Sequence, residues 1–255
     1  MQSVDRAARI LKALGAGTSR LGVTELADRL NLAKTTVHGL LRTLERQELV
    51  EQDLDTGKYR LGPAMLQLGN AFLESHELRS RSLLWADALA SRVGETVRVG
   101  VLHGRSVLIV HHVFRPDNSV QILEVGASIP WNACALGKAT AAFLDADRRR
   151  TLLAGPLPVL TGRTMSDPHG LALSLDEVRR AGVAIEDQEA IVGEAEIAAP
   201  VFDHRSHVAG AIGVVGPVER LAPGGALEAL VAAVKETARG LSRDMGAGRV
   251  AARGG

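Results

Sequence analysis

Across residues 23–61 the spacing of apolar positions changes twice. Val23, Leu26, Ala27 and Leu30 recur at three- and four-residue intervals, and Val37, Leu40, Leu41 and Leu44 then do the same. The two stripes predict two short amphipathic helices. Asn31-Leu32 marks a tight corner between them, because Asn tolerates the left-handed backbone that ends a helix. Thr24 is the expected N-cap of the first helix, although Ala27 stands where a full capping box would need an acid. After Leu44 the period falls to two. Residues 49–52 and 58–61 alternate as strands, with Asp55-Thr56-Gly57-Lys58 as the hairpin tip. Helix, corner, helix and hairpin, in that order, is the plan of a winged helix-turn-helix, which lays its second helix in the DNA major groove. An ordinary helical pair with a surface hairpin shares the stripes but not the order.

With Val37, Leu40, Leu41 and Leu44 turned inward, the outer face and N-terminus of the second helix carry Lys34, Thr35, Thr36, His38 and Arg42. These are short hydroxyls that fit against base edges and cations suited to phosphate or guanine. Arg20, Lys58 and Arg60 are expected on the same side, with Glu45, Glu48 and Asp53 turned away.

Further along, Met65, Leu66, Leu68, Gly69 and Phe72 share one helical face over residues 63–73. The helix is expected to run on through Leu78 and Arg79 toward a second one at 83–93. Its apolar stripe suits packing on its own chain or on a twin in a dimer. Strands are expected at 95–102, 107–114, 120–125, 183–186, 194–202 and 207–215, and helices at 135–144, 146–153 and 227–245. Gly104-Arg105 reads as a hairpin, and the late strands as an antiparallel series. The expected fold class is therefore α+β. A winged helix-turn-helix at 1–62 is joined by a linker helix at 63–80 to a mixed α/β domain at 81–245, with a mostly antiparallel sheet and helices on one side. Residues 246–255 are expected to form a disordered tail.

Composition alters this picture little. The 255 residues, 46% hydrophobic, suffice for two buried cores. A single cysteine, Cys134, excludes an internal disulfide and suits a reducing cytoplasm. Neither a basic-then-apolar leader nor a bilayer-length apolar run is present, so a cytoplasmic chain with no membrane partner is expected. The formal net charge of +1 is a weak electrostatic footprint for a DNA binder. Affinity must come from placement of a few cations, so one copy should bind weakly and with strong salt dependence. Useful affinity implies two copies on a two-fold-related site.

Candidate catalytic and metal chemistry is thin. His111 and His112 are adjacent on an expected strand, so they point to opposite faces and do not easily share an ion. His103 would add at most a partial site beside one of them. Cys134 reads as a small buried hydrophobe or, less simply, as a thiol nucleophile. Arg148-Arg149-Arg150 suits a solvated helix face. Glu186-Asp187 and Glu189 read as pocket polarity, or as an acid/base pair with no partnered nucleophile. Gly213-Val214-Val215-Gly216 lacks the Lys-Ser/Thr of a phosphate loop. No catalytic residue, metal or cofactor is expected.

Specific motifs then point to a family. Ser3-Val4-Asp5-Arg6-Ala7, Leu26-Ala27, Lys34-Thr35-Thr36-Val37-His38 and Gly57-Lys58-Tyr59-Arg60-Leu61-Gly62 resemble the opening of the IclR family of bacterial transcription regulators. Ala135-Leu136-Gly137-Lys138, Ile197-Ala198-Ala199-Pro200-Val201 and Gly216-Pro217 resemble its C-terminal half. The resemblance implies a homodimer or homotetramer on double-stranded operator DNA, and a GAF/profilin-like effector domain that binds a small metabolite. By the family pattern the pocket involves Asn118, Gln121, Ile129, Trp131, Ala135, Leu136, Glu186, Glu194, Glu196, Gly213 and Val215.

Departures from that pattern bear on the ligand. Glu196 replaces a frequent Cys, and Gly213 and Val215 replace the serines of members that bind small keto acids. Fewer hydroxyl donors and an added carboxylate make a bare two- or three-carbon acid a poor fit. Trp131-Asn132 replaces an apolar-His pair, so Trp131 is either an aromatic wall for a larger ligand or a buried core residue. Gly39 stands where many relatives carry Arg.

Residues 100–103 (GVLH) and 107–117 (VLIVHHVFRPD) resemble the glycerol-operon repressors of actinomycetes within that family. That likeness implies a repressor of a carbon-source operon. It also implies an anionic polyol such as glycerol 3-phosphate as effector, with Arg98, His111 or Arg115 as charge partners; Glu196 opposes any anion that no cation neutralises. The alternatives are an activator of another catabolic pathway, or an enzyme with a DNA-binding appendage using His103, His111 or Cys134.

Overall fold

A computed structural model describes residues 2–17, 20–117, 121–221 and 225–248. The chain divides into two compact units, Met1–Ser75 and His76–Gly255.

In the first unit, α1 (Gln2–Gly15), α2 (Val23–Leu30) and α3 (Lys34–Arg46) precede β1 (Val50–Gln52), β2 (Tyr59–Leu61) and α4 (Ala64–Ser75). The stripes close on one core: Leu26 and Leu30 of α2 and Val37, Leu41 and Leu44 of α3 meet Ile10 and Leu14 of α1, with Val50 and Tyr59 from the hairpin. Asn31 takes the left-handed conformation at the corner, with φ of 53°. The N-cap of α2 is Gly22, not Thr24, and the acid three residues after the true cap is Glu25. Its Oε2 accepts the Gly22 N–H at 2.6 Å, so half of a capping box is present after all. β1 and β2 pair antiparallel with Val50 opposite Leu61. Asp53 secures the tip by accepting the Thr56 N–H and Oγ1–H, each at 3.0 Å, and Gly57 has φ of +68°.

The expected continuous linker helix is broken. His76, extended at φ −86° and ψ 105°, caps a new helix, α5 (Glu77–Val93). α4 buries none of its residues.

The second unit continues with β3 (Thr96–His103), β4 (Ser106–Val113), β5 (Ser128–Pro130), a 3-10 turn at Trp131–Ala133, α6 (Ala135–Ala141), α7 (Ala146–Ala154) and α8 (Pro168–Ala181). β6 (Ala184–Asp187), β7 (Glu194–Phe202), β8 (Val208–Pro217), α9 (Val218–Leu221) and α10 (Gly225–Asp244) complete it. The six strands lie in the order β5-β4-β3-β8-β7-β6, and every pairing is antiparallel.

Helices cover both faces rather than one. Ala198 and Ala211 turn toward Leu136 of α6 and Leu171 and Leu175 of α8. The opposite face, where a side chain at Gly210 would meet Leu78, packs against α5 and α10. Both helix layers are required because the central strands are apolar on both sides.

Two expectations for this unit need correction. Residues 121–124 are not a strand, and position 120 lies outside the described residues. The alternating Gln121-Ile122-Leu123-Glu124 mimics one, but Gln121 bonds the Arg115 backbone on both sides, at 2.7 and 2.9 Å, and Glu124 is drawn to Arg98. The edge strand is β5 instead. Helix α8 has no counterpart among the expected elements, although Asp167 accepts the Gly170 N–H, Pro168 opens the helix, and Gly182 ends it at φ 70°. Residues 249–255 of the expected tail lie outside the described residues.

Gly137 fixes the seat of α6. A Cβ there would lie 2.2 Å from the Trp131 carbonyl oxygen and 2.6 Å from its Cα. Gly137→Ala should therefore destabilise the protein by about 1–3 kcal/mol through overpacking, read as a lower urea midpoint at unchanged slope.

Candidate effector site and DNA-reading face

On α3, Lys34, Thr35, His38, Gly39 and Arg42 are exposed and Thr36 is partly so. Ala33 caps the helix without a side-chain bond, which leaves its first N–H groups open to solvent. Lys34 and Arg42 form no ion pair among the described residues. A side chain at Gly39 would meet nothing within 4 Å, so the protein itself does not demand glycine there.

The wing is different. Arg20 pairs with Asp53, Lys58 with Glu25 at 3.1 Å, and Arg60 with Glu51. Asp53, expected to face away, in fact sits against Arg20. The candidate DNA-contacting cations thus differ: Lys34 and Arg42 on α3 have no acid partner among the described residues, and Arg20, Lys58 and Arg60 around the hairpin do.

In the second unit a cavity of about 380 Å³ lies on the sheet face that carries α6. Thr96 and Arg98 of β3, His112 of β4 and Val215 of β8 form its floor, and Gln121, Glu124 and Glu194 stand at its sides. Register explains the floor: Arg98 lies opposite His112 on one neighbour and Gly213 on the other, and Thr96 lies opposite Val215.

Arg98 is buried and engages three carboxylates. Glu124 takes it in a two-bond fork through Nε and Nη2, the second at 2.6 Å. Glu196 Oε1 lies 3.8 Å from Nη1 and Glu194 Oε2 lies 3.9 Å from Nη2. Burial opposes the guanidinium's charge, but Glu196, Glu124 and Glu194 outweigh it and raise its pKa.

Behind this cavity lies a second acidic group. Glu196 is buried and accepts the Leu136 N–H at 3.2 Å. Burial raises its pKa against the pull of Arg98 and the Leu136 and Ala135 N–H groups. Glu186 stands directly opposite Glu196 in the sheet. Its pKa is pushed up to about 8, by burial first, with Glu196 and Glu189 adding to the rise against the Glu189 N–H and Lys138. Lys138, itself buried, pairs with Glu189.

The expected effector residues therefore separate. Gln121, Glu194 and Val215 line the cavity. Glu196 and Gly213 flank Arg98 on the same sheet face. Trp131, Ala135 and Leu136 are in the core, and Ile129 packs against it. Trp131 has no exposed surface and is a core residue rather than a wall of this cavity. Asn118 lies outside the described residues. Thr96 and Glu124 carry no sequence signal for this site, because only strand register and the placement of residues 121–127 across the sheet bring them to Arg98.

The histidines divide as strand parity requires. A bulge at Val99 and Gly100 leaves His111 opposite Val99 and His112 opposite Arg98. His111 faces Arg79 and Asp87 of α5, and burial first, then Arg79, lowers its pKa. Among the described residues no group of His, Cys, Asp and Glu is arranged to hold a metal. Cys134 is buried with its thiol pKa raised by that burial, which makes it a poor nucleophile. No helix of the described residues is long and apolar enough to cross a membrane.

Comparison with known proteins agrees with this arrangement. Residues 3–54 match the IclR helix-turn-helix domain, and residues 70–243 match the C-terminal domain of the bacterial transcriptional regulator IclR. The glycerol operon regulatory proteins of Streptomyces griseus and Streptomyces coelicolor are each 48% identical over 250 residues, covering 98% of this chain and 98% of theirs. The crystal structure of an IclR transcriptional regulator from Alicyclobacillus acidocaldarius matches with a TM-score of 0.83 at 29% identity, over 96% of this chain and 99% of that one. These relatives are regulators and not enzymes. With a DNA-reading head and an effector domain both matched, the chain belongs to the IclR family of transcriptional regulators, which bind operator DNA and small-molecule effectors.

Proposed function

We propose that this chain represses a glycerol-type catabolic operon, binding a palindromic operator as a dimer or tetramer and responding to a small hydroxylated metabolite. The observation that carries the reading is the near-full-length likeness to two glycerol operon regulatory proteins.

The α3 face supports the DNA half. Lys34, Thr35, Thr36, His38 and Arg42 contact the major groove, and Lys34 and Arg42 supply charge that no internal acid has claimed. Arg20, Lys58 and Arg60 contact the flanking backbone, at the cost of loosening Asp53, Glu25 and Glu51. So few free cations per head favour paired heads on one duplex. The exposed apolar face of α4, with Leu66 69% and Leu68 59% accessible, suits a twin helix.

The cavity over Arg98 supports the effector half, with Gln121, Glu194 and Val215 lining it and Glu196, Gly213 and Glu186 behind. Ligand binding biases the spacing of the two heads only through unequal affinity for two arrangements. Half-sites met about one helical turn apart make that spacing decisive. Glycerol 3-phosphate, the effector implied by resemblance, lacks a free charge partner: Arg98 holds three carboxylates, Arg115 faces Glu95 and Asp117, and His111 is on the opposite face.

Fluorescence anisotropy on palindromic fragments from the chain's own genomic neighbourhood, over a salt series, tests the DNA reading. Lys34→Ala and Arg42→Ala should each weaken binding by about 1–3 kcal/mol if they read bases, or lower the salt slope by about one if they hold phosphate. Unchanged affinity and slope in both would place the interface elsewhere. The combined Leu66→Asp and Leu68→Asp variant should sediment as a smaller species than the wild type, and an unchanged sedimentation coefficient would remove α4 from the subunit contact.

A further inference from the structure

The cavity floor holds hydrogen-bonding capacity that the protein does not use. His112 Nδ1 accepts the Glu124 N–H at 3.0 Å. Burial lowers the pKa of this imidazole, against the opposing pull of Glu124, and favours the neutral ring. A neutral ring that accepts at Nδ1 carries its proton on Nε2. That Nε2 is buried and has no partner among the described residues. Across the cavity, Glu194 stands 3.9 Å from Arg98 Nη2, beyond hydrogen-bond reach, and Glu196 Oε1 behind it is buried and unbonded.

An orphan donor on the floor and a carboxylate at the side, with no hydrogen bond to the protein among the described residues, thus line one cavity. A hydroxyl accepts from an N–H and donates to a carboxylate at once, and it carries no charge. Water does the same, but about 380 Å³ is room for far more than one water. Charge narrows the class further. Arg98 is one cation among three acids, and Arg115 already faces Glu95 and Asp117. An entering anion would meet surplus carboxylate and like-charge repulsion.

We propose that this cavity takes an uncharged polyhydroxylated ligand, whose hydroxyls bond His112 Nε2–H and the Glu194 carboxylate, and that its acid surplus rejects phosphorylated forms of the same polyol. The proposal rests on the reading of the chain as an effector-responsive regulator and names the chemistry of that effector.

Calorimetric titration of the full chain with glycerol, xylitol and glycerol 3-phosphate, at matched ionic strength, tests it. Saturable binding of at least one uncharged polyol is expected, with glycerol 3-phosphate about tenfold weaker or worse. His112→Phe keeps a ring but removes the Nε2 donor together with the Nδ1 acceptor of the Glu124 N–H, so a lower melting temperature accompanies it, and Glu194→Ala removes the acceptor. Each should weaken polyol binding about tenfold, with a folded state confirmed by circular dichroism and a cooperative melt. Tighter binding of glycerol 3-phosphate than of either polyol would overturn the proposal without recourse to a variant. So would the absence of polyol binding, or variants that fold normally and bind polyol as before. Operator binding released by some other metabolite would sink the polyol site alone. Failure of the wild-type protein to bind any operator fragment would sink the regulator reading as well.

Discussion

A guanidinium as deeply buried as that of Arg98 survives only because carboxylates surround it. Removing such an ion from water costs several kcal/mol even after relaxation, and only close, well-oriented partners offset that cost. Glu124 supplies the orientation through its two-bond fork. In doing so it pins residues 121–127 across the sheet and displaces the strand that their alternation suggests. Glu194 and Glu196 stand farther off and leave the floor acidic. The shape and the charge of the cavity therefore follow from one ion cluster.

The same cluster reaches into the core. Glu196 contacts Arg98 with one oxygen and accepts the Leu136 N–H at the start of α6 with the other. α6 is buried throughout and is seated against the Trp131 turn where only glycine fits at position 137. A close-packed element of this kind moves as a unit or not at all. One carboxylate thus links Arg98 to the start of α6. Glu186, opposite Glu196 and held toward its protonated form near neutral pH, avoids placing a second full negative charge beside it.

The DNA-reading unit follows a different economy. Its wing cations are neutralised by local acids, whereas Lys34 and Arg42 on α3 form no ion pair among the described residues. Under the proposed two-headed binding, a weak grip by each head would make affinity depend on whether both engage.

Periodicity and turn chemistry are local, and the sequence disclosed what depends on them: the two stripes, the Asn31 corner, the hairpin, the order of most strands and the outward set on α3. Even the overlooked α8 had its Asp167 cap, Pro168 start and Leu171, Leu175, Val178 stripe in plain sight. Contacts between distant residues were not legible in this way. Arg98 and Glu124 are 26 residues apart, Lys138 and Glu189 are 51 apart, and Leu136 and Glu196 are 60 apart. Strand order and register alone decide that these meet, and the bulge at Val99 and Gly100 decides that His112 rather than His111 joins them. Trp131 shows the limit most clearly: its composition suits a ligand wall, yet packing against α6 makes it core. The sequence by itself determined most of the elements and the outward face of α3; the tertiary structure decided the cavity over Arg98, because burial and charge pairing belong to neighbours in space and not along the chain.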